Sequence, residues 1–107
     1  MTQEFTQDNF NQAVVEASKE KPVLVDFFAS WCGPCQIQSP IVEEVSEVVA
    51  EKAIIGKLNT ENAMDVAKQF GIMSIPTIII FKNGNPAERF TGVQDKETLV
   101  ESLSKHL

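Results

Sequence analysis

The residues of this sequence best suited to chemistry are two cysteines three positions apart, in Trp31-Cys32-Gly33-Pro34-Cys35, and they are the only cysteines among 107 residues. Such a pair can clamp a metal, staple a chain or exchange electrons. A structural zinc site takes four ligands, and beyond the cysteines the sequence offers a single histidine, His106, far along the chain. Haem attachment needs His directly after the second cysteine, where Gln36 stands. A structural staple is the serious alternative, but so short a loop contributes only about 2 kcal/mol of chain entropy, less the ring strain. A cysteine pair without a secretion signal is also more often catalytic or metal-binding than structural.

A redox-active pair explains the neighbours as well. Cys32 falls where a strand gives way to a helix, so backbone N–H groups and the positive end of the helix dipole face its sulfur and favour the thiolate. An ordinary thiol of pKa ~8.5 is about 3% ionised at pH 7, and lowering it by ~1.5 units makes that roughly half, a differential stabilisation of about 2 kcal/mol. Cys32 is thus expected as nucleophile. Cys35, one turn on and on the same face, is expected to be more buried and to act as the resolving thiol. Gly33 admits a substrate backbone, and Pro34 presets a helical φ in the first turn without needing an N–H partner; both tune the pair.

The elements that must position these residues are legible in the hydrophobic pattern. Residues 6–19 place Phe10, Val14 and Ala17 at helical spacing behind Thr6 as cap. The apolar run 23–29 suits a strand buried on both faces, with Asp26 as its intruder. Ile37, Ile41, Val45 and Val48 predict a helix from about 33 to 50, kinked at Pro40. Residues 53–58 read as a second buried strand, with Gly56 counting against that reading, and 62–71 as a short helix between Asn62 as cap and Gly71 as stop. Asn83-Gly84 joins two strands as a hairpin, and 95–107 closes as a helix with Leu99, Val100 and Leu103 inward. The expected fold is α/β, a central mixed sheet with helices on both faces, in one domain over 1–107.

Composition excludes several functions. Fifteen acidic and nine basic residues give a net charge of −6, with no basic run to suit nucleic acid or an anionic membrane. The opening stretch, MTQEFTQDNF, lacks the charged and apolar regions of a signal peptide, and no apolar stretch approaches the ~20 residues of a membrane helix. The expectation is a cytoplasmic protein.

The segment Trp31-Cys32-Gly33-Pro34-Cys35 resembles the active site of the thioredoxin family. The similarity continues through 25–29 (VDFFA), Pro40, 57–59 (KLN), 71–77 (GIMSIPT), 81–84 (FKNG) and Gly92, over nearly the whole chain. It implies the thioredoxin fold and a monomeric dithiol carrier that reduces disulfides in target proteins through a reversible Cys32–Cys35 bridge. It further implies re-reduction by a flavoprotein thioredoxin reductase using NADPH, with no cofactor or metal bound to this chain. Asp26, already odd in an apolar strand where burial should raise its pKa, matches the family's buried aspartate and would move a proton to and from Cys35. Lys57 matches the lysine beside it. Pro76 matches the family's cis-proline, where Ile75 would pair with an extended substrate, and Trp31 and Gly92 complete the substrate rim. Gln36 stands where the family usually has Lys or Arg, Phe28 where many members have Trp, and Ala63 where Pro is frequent.

Two rival functions use the same residues. The chemistry could run in reverse, as an oxidant or isomerase, although the dipeptide between the cysteines would then more often contain His. Alternatively, the apolar rim could dock a partner with the cysteines incidental.

Overall fold

The computed structural model describes residues 2–107; Met1 lies outside the described residues. Five strands form one mixed sheet in the order β1-β3-β2-β4-β5: β1 Gln3–Phe5, β2 Val23–Phe28, β3 Ile54–Asn59, β4 Thr77–Lys82 and β5 Asn85–Thr91. The first three run parallel, and β4 and β5 are antiparallel to their neighbours. Strand β2 is central and its alternate residues face opposite ways. Val23, Val25 and Phe27 enter a core with Phe5, Phe10, Val14, Leu58, Val66, Ile79 and Phe81. Leu24 points to the other side, among Val42, Val45, Val49, Ile78, Ile80, Leu99 and Leu103.

The first core is covered by the N-terminal helical segment and by α2, Met64–Gln69. That N-terminal segment is wound as a π-helix over Asn11–Glu16 and a 3-10 turn over Ala17–Lys19, rather than as one regular helix. Its N-cap is Phe10, without a side-chain bond, and Thr6 instead closes the turn before it: the Thr6 hydroxyl accepts from the Asn9 N–H, while the Asn9 side chain accepts from the Thr6 N–H. The second core is covered by α1, Gly33–Val49, and α3, Lys96–Ser104, the latter capped by the Asp95 carboxylate on the Thr98 N–H. Leu99 and Leu103 are buried and Val100 half-buried. Pro40 lies within α1 without ending it.

Four expectations need correction. The buried face of α1 is Cys35, Gln38, Val42, Val45, Ser46 and Val49, whereas Ile37 and Val48 are exposed. Gln38, though polar, can face inside because both ends of its amide are paired: its nitrogen donates to the Gln94 carbonyl and its oxygen accepts from the Gln94 N–H. Strand β1, three residues long, adds a strand that the hydrophobic pattern does not show. Gly56 does not weaken β3; a Cβ there would meet the Phe5 ring and the Gln3 carbonyl, so the glycine is what lets β1 pair closely. Asn62 does not cap α2, which follows Ala63; Gln7 instead accepts from the Val66 N–H across the fold. Gly71 ends that segment with φ +63°, and Asn83 and Gly84 carry the positive φ values of the hairpin turn.

Candidate active site

The C-terminal end of β2 passes through Ala29 and Ser30 into α1, and Cys32 is the hinge between them. Its backbone is extended (φ −85°, ψ 115°), its N–H donates to the Ala29 carbonyl, and its sulfur accepts from the Cys35 N–H at 3.2 Å. The sulfur therefore occupies the N-cap position of a seventeen-residue helix, where a side-chain acceptor satisfies an otherwise unpaired donor. Pro34 falls in the first turn, where its missing N–H costs nothing. No acidic side chain shares that turn, so the helix dipole acts on the sulfur without a competing charge on the same turn.

Cys32 and Cys35 are joined as a disulfide, with Cα atoms 5.3 Å apart. Both are buried to the same degree, 4% exposed, so the expected difference in depth is not present in this oxidised state. Ala29 completes their buried cluster, and Phe28 and Ile75 pack against it. The Ile75–Pro76 peptide is cis, and the Ile75 carbonyl lies 3.7 Å from the Cys32 sulfur. Gly92, at φ +89°, donates its N–H to the Pro76 carbonyl at 2.9 Å. The loops around 75 and 92 are thus tied to one another, and the first of them reaches the Cys32 sulfur. Trp31 stands 72% exposed beside the cysteines.

Asp26 is fully buried on the α1 side of the sheet, and neither carboxylate oxygen has a hydrogen-bond partner among the described residues. Burial pushes its pKa up to about 7, against the pull of the nearby Lys57 charge. Lys57 is its register partner on β3. The Lys57 ammonium donates to Ser39 Oγ at 2.7 Å and sits 5.5 Å over the Phe28 ring, so Phe28 supplies an aromatic face to that cation. Lys57, Phe28, Ser39, Gln36 and Cys35 line one cleft of about 170 Å³, which brings the lysine and the second cysteine to the same opening.

Sequence reasoning missed several residues here. Glu61 accepts from both the N–H and the hydroxyl of Ser30, and Thr60 donates to the Phe28 carbonyl. Met73, 94% exposed, lies two residues before Ile75. Among the described residues no group of three or more His, Cys, Asp or Glu could hold a metal, and no helix is long and apolar enough to cross a membrane.

A mixed sheet that sets a disulfide at the N-terminus of a helix, facing a cis-proline loop, defines a dithiol–disulfide oxidoreductase. The thioredoxin family model matches residues 1–105. The chain is 47% identical over 103 residues to a thioredoxin of Alicyclobacillus acidocaldarius, covering 96% of this chain and 95% of that protein. It is 44% identical to thioredoxin 1 of Synechococcus elongatus, over 95% of this chain and 94% of the other. A chloroplastic M-type thioredoxin of Chlamydomonas reinhardtii is 45% identical over 94% of this chain and 70% of its own length. The chain belongs to the thioredoxin family, with that family's fold and its protein-disulfide oxidoreductase activity.

Proposed function

We propose that this protein works as a disulfide reductase of other proteins, with Cys32 as nucleophile and Cys35 as resolving thiol. The observation that carries this assignment is the Cys32 sulfur at the α1 N-terminus, accepting the Cys35 N–H. In the reduced protein the Cys32 thiolate attacks a target disulfide, forms a Cys32–target bond and expels one target thiolate. Cys35, losing its proton, then attacks the Cys32 sulfur, forms the Cys32–Cys35 bond and expels the second target thiolate. Two electrons pass to the target, and two protons are taken up by its thiolates. Gly33 and Pro34 keep the pair at the helix start.

Asp26, buried on the α1 side of the sheet, takes the proton from Cys35, and its elevated pKa keeps it exchangeable near neutral pH. Lys57 modulates Asp26 through its charge. The exposed Trp31, with Ile75, Pro76 and Gly92, receives an extended target segment. The oxidised pair is returned to the dithiol by a flavoprotein thioredoxin reductase drawing on NADPH. The protein acts as a single-domain monomer in the cytoplasm.

The test is a pair of single substitutions assayed on a protein disulfide. Cys32→Ser abolishes reduction, and Cys35→Ser accumulates a mixed disulfide with the target. Full turnover by either variant overturns the assignment. Equilibration in graded dithiothreitol buffers, read by the fluorescence of Trp31, gives the direction of the chemistry: a potential clearly below that of disulfide isomerases is expected, and one at or above it reverses the reading to oxidation.

A further inference from the structure

The last register pair between β2 and β3 is Phe28 with Asn59. Beyond it the two chains separate, one towards Cys32 and the other into the 3-10 turn Thr60–Asn62. They are nevertheless laced together past the end of the sheet. Thr60 Oγ1 donates to the Phe28 carbonyl at 3.0 Å, and Glu61 Oε1 accepts from the Ser30 N–H at 2.9 Å and from Ser30 Oγ at 2.7 Å. Glu61 is itself oriented, since its N–H donates to Asn59 Oδ1 at 2.9 Å. The two Ser30 donors hold the Glu61 carboxyl below the usual carboxylate range, so the acceptor is charged at neutral pH.

Ser30 immediately precedes Trp31, whose ring is too exposed for packing to fix its direction. What sets the bearing of Trp31 is the backbone that leads into and out of it: Glu61 holds that backbone at Ser30, one residue before, and the Cys32 N–H holds it one residue after through its bond to the Ala29 carbonyl. We propose that Glu61 is a positioning residue: by accepting from both the N–H and the hydroxyl of Ser30 it fixes the residue immediately before Trp31, and so presents the rim to a protein target. This inference rests on the target-binding role assigned above to Trp31. It assigns Glu61 no contact with the reacting sulfurs.

The test compares Glu61→Ala, Glu61→Gln and Ser30→Ala with the parent chain. Three quantities are read: kcat/KM for a protein disulfide, the rate with a small soluble aromatic disulfide, and the fluorescence anisotropy of Trp31. The Ala variants should lose about fivefold in kcat/KM on the protein disulfide, because loss of orientation acts on binding geometry. Their rate with the small disulfide should stay within a factor of two of the parent's, which is about the noise expected of a surface change. Trp31 anisotropy should fall. Glu61→Gln should restore both readouts, since an amide oxygen can accept both Ser30 bonds. Unchanged anisotropy in Glu61→Ala overturns the proposal, as does an equal fall on both substrates, which would mark a general structural role. If the parent chain itself fails to reduce protein disulfides, the functional reading falls, while the anisotropy series still decides whether Glu61 holds Trp31.

Discussion

Asp26 and Lys57 face each other as register partners on adjacent parallel strands, yet the lysine ammonium donates to Ser39 Oγ and the buried carboxyl keeps no hydrogen-bond partner among the described residues. The lysine acts on Asp26 as a charge and not as a donor. Its pull lowers the carboxyl pKa, but burial outweighs it. The site thus holds an ionisable group in tension near neutral pH, at some expense to the stability of the fold.

That expense has a sign and a window. The pKa of Asp26 rises from its ordinary 3.8 to about 7 on folding, so between those limits the folded protein binds more protons than the unfolded one and stability falls as pH rises. Above about 7 the Asp26 contribution levels off. At ~1.4 kcal/mol per pH unit the total is on the order of 4 kcal/mol. Asp26→Asn, which cannot ionise, should therefore be more stable than the parent at pH 8 and nearly equal to it at pH 3.5. Urea denaturation across that range measures the difference, and parallel curves for the two proteins would show that Asp26 does not titrate abnormally. In the same variant, release of a target from the mixed disulfide should slow about tenfold or more, as loss of a general base requires.

Removing the opposing charge should move the window. In Lys57→Met the Asp26 pKa should rise above about 7, since the lysine is what lowers it. The carboxyl carbon of Asp26, followed by NMR through a pH titration, reports this directly. A midpoint unchanged from the parent would mean that the lysine charge is screened from the carboxyl, and that the substitution acts only through the lost Ser39 bond and the lost contact with the Phe28 ring.

How much of this was legible in the sequence depended on distance along the chain. The Cys32 sulfur, its helix start and Pro34 lie within four residues, and local rules placed them correctly. Asp26 stood out because one carboxylate interrupts an apolar strand. The turn at Asn83-Gly84 was equally local. What escaped depended on partners far away. The buried face of α1 can hold Gln38 because it pairs with Gln94, fifty-six positions on, and periodicity alone ranked the exposed Ile37 and Val48 above that glutamine. Glu61 reaches Ser30 from thirty-one positions away, and nothing in either residue's neighbourhood announces it. The cis state of the Ile75–Pro76 peptide came only from family resemblance, because X–Pro bonds are trans by default.

Gly56 is the clearest case of a residue whose meaning reversed. A Cβ built there lies 2.6 Å from Phe5 Cζ and 2.8 Å from the Gln3 carbonyl oxygen, one a ring anchored in the core and the other backbone. Gly56→Ala should therefore push β1 away from β3 and cost about 1–3 kcal/mol, the usual range for overpacking. Chemical denaturation measures it. A midpoint equal to the parent's would mean that the three residues of β1 shift aside freely and contribute little to the fold.

The rim can be probed where folding is not at stake. Met73 is 94% exposed, and it precedes by two residues the Ile75 carbonyl that lies 3.7 Å from the Cys32 sulfur. A flexible thioether at that place suits varied apolar target segments, because it can repack against each. Met73→Glu should leave stability within about 0.5 kcal/mol, as for other surface changes. It should raise KM for a protein disulfide several-fold, because a carboxylate must then be desolvated when the target docks. The kcat should change little, since the residue does not touch the sulfurs, and a small disulfide should be reduced at the parental rate. Equal KM values for parent and variant would place the docking path on the other side of the disulfide, around Trp31, and remove Met73 from the rim.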